Sequence, residues 1–329
     1  MRKVVLEEFG APEVLRVGEH PDPPLAEGGY RIEARAIALN FADTLERQGR
    51  YGRDQAVPME MGKEAAGVVV ERGPAARRFE IGAPVIVIKF GNGCYAERIV
   101  AAESEVLEPP AGFSFPEMAA FGTAFGTAWF ALTEVARVRP GESALVQAAA
   151  GGLGGATVLL ARSLGLDPVI GSAGGPGKCA YVEALGATRC VDYRSADFRA
   201  AVRELTGGRG VDFVLESVGG EVYERSLEVV APLGRLVVLG FSSVAEDPAG
   251  STPRIHPLSV FHRSLCLCGL NVHNLRFHER RSVWAALVAH VEQHGLRPPV
   301  GLELPFADVA AGHAALEGRR TTGKVILLP

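Results

Sequence analysis

A glycine-rich turn is the segment of this chain best suited to binding a charged ligand. The turn, Ala148–Gly154, follows an apolar run that ends at Gln147 and precedes a helical pattern over residues 156–165. The order of strand, glycine turn and helix lets backbone N–H groups approach a pyrophosphate, while the positive end of the helix faces the negative charge. We therefore predict a dinucleotide site. Its phosphate-binding residues are Gly151, Gly152, Leu153 and Gly154.

The end of the second predicted strand indicates which dinucleotide binds. A coenzyme without a 2′-phosphate usually meets an Asp or Glu there, which holds the ribose 2′-OH. This chain instead has Ser172 and Lys178 on either side of a glycine-rich segment, with no acid between them. A hydroxyl and an ammonium suit a 2′-phosphate, whereas a carboxylate would repel it. The pattern predicts NADPH rather than NADH, and the alternative for Lys178 is that it only begins a surface helix.

Two regions of different character position these residues. Residues 1 to about 124 contain short runs with period-two alternation or β-branched character, punctuated by Gly and Pro, which predicts an antiparallel, barrel-like domain. From about Gly122 onward, helical patterns alternate with short apolar strands, which predicts a parallel sheet with helices on both faces. In that second region we expect a helix over 223–230, a strand over 234–240, a loop over 242–262 and a strand over 264–270. Helices over 282–294 and 307–316 and a strand over 324–328 close the chain.

Composition excludes several functional classes. The 329 residues are 47% apolar and 22% charged with a formal net charge of -4, which is typical of a globular protein of about two domains and not of a nucleic-acid binder. No apolar run is long enough to span a bilayer, and Glu7 comes too early for a signal peptide, so we expect no membrane contact and a cytoplasmic location. The five cysteines are odd in number and scattered, which argues against a disulfide framework.

The motifs together resemble one known family. The chain is similar to the zinc-independent medium-chain dehydrogenase/reductase superfamily and, within it, to the NADPH:quinone oxidoreductases of the ζ-crystallin-like group. The resemblance covers the whole length. Its carriers are Asn40–Asp43, Gln48–Tyr51, Gly62–Val68, Gly126–Ala128, Ala148–Gly154, Asp192–Arg194, Ser217–Gly220 and Gly323–Val325.

The resemblance implies an α/β fold in which a Rossmann domain is inserted into a GroES-like β-barrel catalytic domain. The implied bounds are 1–124 and 276–329 for the catalytic domain and 125–275 for the NADPH-binding domain. It also implies that Ser172, Lys178 and Tyr193 meet the 2′-phosphate, and that Ser217, Gly240 and Phe241 line the rest of the coenzyme. Asn40, Tyr51 and Thr127 would lie near the nicotinamide and substrate, and Arg319 would approach the coenzyme.

The same resemblance bears on metal binding. Zinc-dependent relatives bind the ion through Cys, His and Cys or Asp, and this chain has Asp43 at the first of those positions and Lys63 at the second. A charged lysine repels a dication and cannot ligate it. Only Cys94 stands where relatives have the four cysteines of a structural zinc lobe. We therefore predict no zinc, and the sequence leaves open whether Lys63 pairs with Asp43.

Without a metal, the hydride of NADPH must carry the reaction, so the expected acceptor is an electron-poor small molecule such as a quinone or an α,β-unsaturated carbonyl. Tyr51 and Asn40 are candidate donors to its oxygen, although Tyr51 is also compatible with a packed loop aromatic and Asn40 with a satisfied turn. One alternative is an enoyl-thioester reductase, with Arg276, Arg280 and Arg281 receiving a coenzyme A phosphate. Another is a non-catalytic NADPH-binding protein. The apolar run Leu265–Leu270 suits edge-to-edge pairing of two sheets, so we expect a homodimer.

Overall fold

The computed structural model of the chain describes residues 1–51, 55–243, 257–276 and 279–329. These residues divide into two units, one formed by Met1–Gly126 with Arg276–Pro329 and the other by Thr127–Leu275. Across the described ranges, no helix combines the length and apolar character needed to cross a membrane.

Strands and helices are numbered in chain order. The strands are β1 (Arg2–Leu6), β2 (Val17–Glu19), β3 (Gly29–Leu39), β4 (Met59–Glu60), β5 (Glu64–Arg72), β6 (Pro84–Ile88), β7 (Arg98–Ala102), β8 (Val106–Leu107), β9 (Ala144–Val146), β10 (Val169–Ala173), β11 (Arg189–Asp192), β12 (Val211–Glu216), β13 (Val230–Val238), β14 (Cys266–Gly269), β15 (Val300–Pro305) and β16 (Lys324–Leu328). The α-helices are α1 (Phe41–Arg47), α2 (Phe115–Trp129), α3 (Gly152–Ser163), α4 (Pro176–Ala184), α5 (Phe198–Leu205), α6 (Gly220–Leu227), α7 (Pro257–Arg263), α8 (Val272–Leu275), α9 (Arg281–His294) and α10 (Val309–Glu317). A π-helical turn, Phe130–Val135, follows α2.

The first unit is built on a seven-stranded sheet. Its order is β15-β16-β3-β5-β6-β8, with β7 also paired to β3, and every pairing is antiparallel except that of β15 with β16. Apolar side chains of β3, β5 and β6 form its buried core, as period-two alternation predicts. Val325 of β16 pairs with Leu39 of β3, so the next residues, Lys324 and Asn40, lie at the same end of the sheet.

The second unit is a doubly wound parallel sheet. Its order is β11-β10-β9-β12-β13-β14, and all five pairings are parallel. The direction of winding reverses between β9 and β12, which is where α/β sheets bind ligands outside the carboxyl ends of their strands. The predicted parallel-sheet α/β architecture is confirmed.

Three predicted elements need correction. The helix expected over 223–230 is α6, Gly220–Leu227, because the turn at Gly219 and Gly220 starts it earlier, and Val230 already belongs to β13. Strand β13 therefore also begins before the predicted 234–240. The loop expected over 242–262 contains all of α7 except its last residue, and Pro257 occupies the first helical position, which proline favours. Residues 244–256 of that predicted loop lie outside the described residues.

Candidate functional site

The glycine turn between β9 and α3 is shaped by a close backbone approach. Ala148 has a left-handed φ of 51°, and its carbonyl accepts from Gly151 N at 3.0 Å. Gly154 packs against this turn so closely that a Cβ there would lie 2.6 Å from Ala149 Cα. The N-cap residue is Gly151, which has no side chain to satisfy the first N–H groups of α3. Those N–H groups are therefore suited to an anion.

Ser172 belongs to a buried hydrogen-bond chain near the carboxyl ends of the strands. It is 2% exposed, and its hydroxyl donates to Gln147 Oε1. Gln147 Nε2 donates to Ser226 Oγ at 2.9 Å, and Ser226 Oγ donates to Glu216 Oε2 at 3.1 Å. The structure thus places the Ser172 hydroxyl inside the unit rather than on its surface.

Polar side chains gather over Gly174, just beyond β10. A Cβ on Gly174 would lie 2.6 Å from the Tyr193 hydroxyl and 3.1 Å from Arg194 Nε. Asp192 Oδ1 accepts from Gly175 N at 2.8 Å and from Arg194 N at 3.0 Å, and these backbone hydrogen bonds lower the pKa of Asp192. Lys178 is half-buried in the first turn of α4. We call Lys178, Tyr193 and Arg194 the basic corner.

Arg194 is a member of the basic corner that the sequence reasoning did not select. Its signal was present, because it directly follows Tyr193 in one of the family motifs. Both residues follow β11, while Lys178 follows β10, and these two strands are parallel neighbours. Parallel strands end at one edge of a sheet, so residues that follow them in sequence come together there.

Ser217 and Gly240 meet at the ends of β12 and β13. A Cβ on Gly240 would lie 3.0 Å from the Ser217 carbonyl oxygen, which also accepts from Ser242 N at 3.2 Å. Phe241, the next residue, is exposed. Buried Glu216 organises this turn by accepting from Val218 N at 2.6 Å, a role that the sequence reasoning missed.

In the first unit, Asn40 is tied to a buried ion pair. Lys324 Nζ lies 2.5 Å from Glu64 Oε1, and both side chains are buried. Asn40 Nδ2 donates to Glu64 Oε1 at 3.0 Å, and Asn40 Oδ1 accepts from Lys324 Nζ at 2.8 Å. Glu64 Oε2 also accepts from Thr123 N at 2.6 Å. Because an amide carries two N–H groups, Asn40 retains one beyond its bond to Glu64.

Lys63 pairs with Glu46, and no direct pair with Asp43 forms. Lys63 Nζ donates to Glu46 Oε1 at 2.5 Å and to Asn92 Oδ1 at 3.0 Å. Asp43 Oδ2 instead accepts from Asn40 N and from the Tyr95 hydroxyl, each at 2.9 Å. Burial raises the pKa of Asp43 to about 6, against the opposing effect of the Lys63 charge.

Lys63 also lies beside Tyr51. Its Nζ is 5.4 Å from the centroid of the Tyr51 ring, within the range of a cation–π contact. Burial, helped by the Glu46 and Asp43 carboxylates, raises the pKa of Tyr51 to about 12. The phenol therefore keeps its proton at neutral pH and is able to donate it. Gln55 Oε1 accepts from Tyr51 N at 2.9 Å.

Two predicted residues remain, one within a helix and one just after a helix. Thr127 is buried in α2 and is the first residue of the second unit. Arg319 follows α10 in the first unit with a left-handed φ of 50°, and it is exposed. Of the arginines considered for a coenzyme A phosphate, Arg276 pairs with Glu279 at 3.2 Å and Arg281 lies 3.9 Å from Glu103.

The residues at the position of the zinc ligands do not fit a zinc ion. Lys63 has no lone pair to offer while its ammonium donates to Glu46 and Asn92. In the described part of the chain, no group of three or more His, Cys, Asp or Glu side chains is arranged to hold a metal.

Two family models match the chain. The alcohol dehydrogenase GroES-like domain matches residues 26–128, and the zinc-binding dehydrogenase family matches residues 152–292. The GroES-like part of the predicted fold is thereby confirmed. The match to a zinc-binding family covers most of the second unit and residues 276–292 of the first, while Lys63 lies in the region matched by the GroES-like model.

Full-length relatives are similar to this chain. A quinone oxidoreductase of Pseudomonas aeruginosa is 32% identical, with 100% of this chain and 99% of the relative covered. The structure of Escherichia coli quinone oxidoreductase complexed with NADPH superposes with a TM-score of 0.89 at 28% identity, covering 100% of both chains. The structure of an NAD-dependent alcohol dehydrogenase gives a TM-score of 0.88 at 31% identity, also covering 100% of both.

Proposed function

Because this chain belongs to the quinone oxidoreductase family of the medium-chain dehydrogenases/reductases, we propose that it is an NADPH-dependent reductase of quinones or α,β-unsaturated carbonyls that works without zinc. The observation that carries the proposal is the basic corner, in which Tyr193 and Arg194 lie over Gly174 just beyond β10 and Lys178 lies in the first turn of the helix that follows. Residues 125–275 are assigned to coenzyme binding, and residues 1–124 with 276–329 to the acceptor.

The second unit fits a phosphorylated dinucleotide in two places. The uncapped start of α3 suits the pyrophosphate, with Gly151, Gly152, Leu153 and Gly154 supplying backbone N–H groups. The basic corner suits a 2′-phosphate, because two cationic side chains and a phenol are donors to phosphate oxygens. Ser172 contributes by ordering Gln147 through a buried hydrogen bond. Ser217, Gly240 and Phe241 line the carboxyl edge on the opposite side of β9 from the basic corner.

When bound, the coenzyme supplies the hydride. The protein must then stabilise the negative charge that develops on the acceptor oxygen. Tyr51 holds its proton because burial raises its pKa to about 12, and Asn40 has one N–H not used by Glu64. We assign these two groups as donors to that oxygen, Thr127 as a coenzyme-side hydroxyl, and Arg319 as a coenzyme contact.

The neutralised charge of Lys63 supports the proposed class of acceptor. Its ammonium is neutralised by Glu46 in a buried pair, so it offers no concentrated positive charge to polarise a simple ketone. An acceptor that is already electron-poor, such as a quinone or enone, needs only hydrogen-bond donors. The same reasoning favours reduction over alcohol oxidation.

The edge of the parallel sheet supports a homodimer. Strand β14 ends the sheet within the described residues, and Leu267 on it and Phe261 on α7 are exposed. An unpaired strand edge beside apolar side chains favours pairing with a second copy of the chain.

A panel of acceptors tests the proposed function. Oxidation of NADPH and of NADH is followed with a benzoquinone, an α,β-unsaturated ketone, an enoyl-coenzyme A and a simple ketone, and the zinc content of the purified protein is measured. We expect turnover with the quinone or the enone, NADPH preference and no stoichiometric zinc. Turnover only with enoyl-coenzyme A, NADPH binding without any turnover, or equal use of NADH would overturn the proposal.

A further inference from the structure

Two cysteine sulfurs lie next to each other in the second unit. Cys179 Sγ, on α4, and Cys190 Sγ, on β11, are 3.1 Å apart, with the Cys190 thiol donating to the Cys179 sulfur. The two residues are buried but not completely enclosed, at 8% and 9% exposed. Cys266 and Cys268, by contrast, lie on the open edge strand β14.

The surrounding backbone fixes this pair. Cys190 N donates to Glu183 Oε1 of α4 at 2.9 Å, which joins the helix to β11 one turn beyond Cys179. Gly171 on β10 lets the helix approach, since a Cβ there would lie 2.6 Å from Val182 Cγ1 and 3.6 Å from Cys190 Sγ. The two thiols are thus held together by a helix and a strand that are themselves packed, and their proximity does not depend on a loop.

We propose that Cys179 and Cys190 form a reversible disulfide when the protein meets a hydroperoxide. The Cys179 sulfur attacks the peroxide, so an S–O bond forms, the O–O bond breaks and the first water leaves. The Cys190 sulfur then loses its proton and attacks the oxidised Cys179 sulfur, so the S–S bond forms and the second water leaves. Two thiols are oxidised by two electrons and one hydrogen peroxide is reduced to two waters.

The order of attack follows from the environment of the two thiols. Burial raises the pKa of the Cys190 thiol, and its hydrogen bond to Cys179 and the nearby Glu183 carboxylate act in the same direction. Cys179 receives that hydrogen bond, so its sulfur is the one prepared to react first. Cys190 is then within reach as the resolving thiol.

The position of the two cysteines leads us to expect that their oxidation weakens NADPH binding, an expectation that rests on the proposed function. Lys178 directly precedes Cys179, and Tyr193 and Arg194 closely follow Cys190. Closing the sulfurs from 3.1 Å to a covalent length of about 2.05 Å draws the first turn of α4 toward β11 by about 1 Å. The basic corner is built on these two elements, so oxidation is expected to weaken NADPH binding about tenfold, the equivalent of one charge-assisted hydrogen bond.

The disulfide is tested by peptide mapping that needs no coenzyme. Trypsin cleaves after Lys178, Arg189 and Arg194, so each cysteine falls in its own peptide, 179–189 or 190–194. After treatment of the full chain with hydrogen peroxide and blocking of free thiols, we expect these two peptides to be linked, and dithiothreitol to separate them. Cys190→Ala should abolish the link, while Cys268→Ala should leave it unchanged. Sulfinic acid on either cysteine without a link, or no oxidation at all, would overturn the proposal.

NADPH titration then tests the consequence. The reduced protein and its Cys190→Ala variant should bind NADPH alike, and peroxide should raise the Kd about tenfold only in the wild type, reversibly. A linked peptide pair with unchanged NADPH affinity would overturn the coupling and leave the disulfide standing. Failure of the reduced protein to bind NADPH would instead count against the proposed function.

Discussion

The Lys63 ammonium donates to the Glu46 carboxylate at 2.5 Å, and both side chains are buried in the first unit. By the family resemblance, Lys63 stands at the second of the positions that ligate zinc in zinc-dependent relatives. Asp43 of α1 forms a separate hydrogen-bonded group with the N-cap residue Asn40 and with Tyr95, which lies between β6 and β7. Lys63 therefore places at that position a cation whose charge is already neutralised by Glu46.

Removal of the Lys63 charge should destabilise the protein because it leaves Glu46 buried and unpaired. We expect Lys63→Met to lower the free energy of unfolding by about 3–5 kcal/mol. The measurement is denaturant unfolding followed with a spectroscopic probe in the first unit. Arg72→Met, which breaks the exposed pair with Glu80, is the matched control and should have little effect. The double variant Lys63→Met/Glu46→Leu should recover most of the loss. A double variant as unstable as the single one would contradict this explanation.

Gly154 should be irreplaceable for steric reasons. In Gly154→Ala the new Cβ would lie 2.6 Å from Ala149 Cα, and backbone on either side cannot yield without opening the turn. We expect a lower melting temperature and weaker NADPH binding. Gly177→Ala, in α4, is the control, because a Cβ there meets nothing within 4 Å and alanine favours a helix. Equal melting temperatures for the two variants would argue against close packing at Gly154.

Local chemistry explains why much of this architecture is predictable from sequence. Strand β6, Pro84–Ile88, is a β-branched run that begins at a proline and ends before Lys89, and such a short apolar run is typical of a buried strand. The glycine turn Ala148–Gly154 is equally predictable, because an apolar strand precedes it and a helix follows it. The sequence predicts a loop where α7 forms, because Pro257 follows a long segment rich in turn-forming residues.

Partners that come from distant segments were not predictable. The sequence leaves open whether Lys63 pairs with Asp43, and in the structure it pairs with Glu46. Which of these two carboxylates the ammonium reaches depends on how α1 packs against the loop that carries Asn92. Ser172 is predicted to meet the 2′-phosphate, yet its hydroxyl is engaged by Gln147, the residue before the glycine turn. Alternation along a strand predicts which face of the sheet a side chain occupies. It does not predict which side chain from another strand will be the hydrogen-bond partner.

Coenzyme discrimination should reside in the basic corner. We expect Lys178→Ala to lower kcat/KM for NADPH by about 10- to 100-fold, the value of a hydrogen bond between charged groups, and to leave kcat/KM for NADH nearly unchanged. Arg203→Ala, an exposed arginine of α5, is the control and should affect neither coenzyme. An equal fall in kcat/KM for NADPH and NADH would show that Lys178 does not contact the 2′-phosphate.

The Tyr51 hydroxyl should act on the reaction and not on binding. We expect Tyr51→Phe to lower kcat by about 100-fold, as for loss of a donor to a developing oxyanion, with little change in KM for NADPH. Tyr181→Phe is the control, because the Tyr181 hydroxyl is buried in α4 and has no hydrogen-bond partner among the residues that the structure describes. An unchanged kcat in Tyr51→Phe would reduce Tyr51 to a packed aromatic beside Lys63.

The buried carboxyl of Asp43 should give stability a distinctive pH dependence. Its pKa is raised by burial from 3.8 to about 6, so between these values the folded state holds a proton that the unfolded state has released. Stability from this group is therefore full below about pH 4 and falls as pH rises through about 6, by up to about 3 kcal/mol. Asp43→Asn removes that loss and can still accept from Asn40 and Tyr95.

The comparison is made as a difference between the variant and the wild type. Buried His313, whose pKa is lowered to about 3 by burial, contributes the opposite slope, as it loses stability when pH falls below about 6.5, but it is present in both proteins and cancels. We expect the unfolding free energy of Asp43→Asn, relative to wild type, to rise between about pH 4 and 7. Asp308→Asn, at an exposed carboxylate, should show no such rise. A difference that is flat across this pH range would mean that Asp43 stays ionised in the fold, held so by the Lys63 ammonium despite its burial.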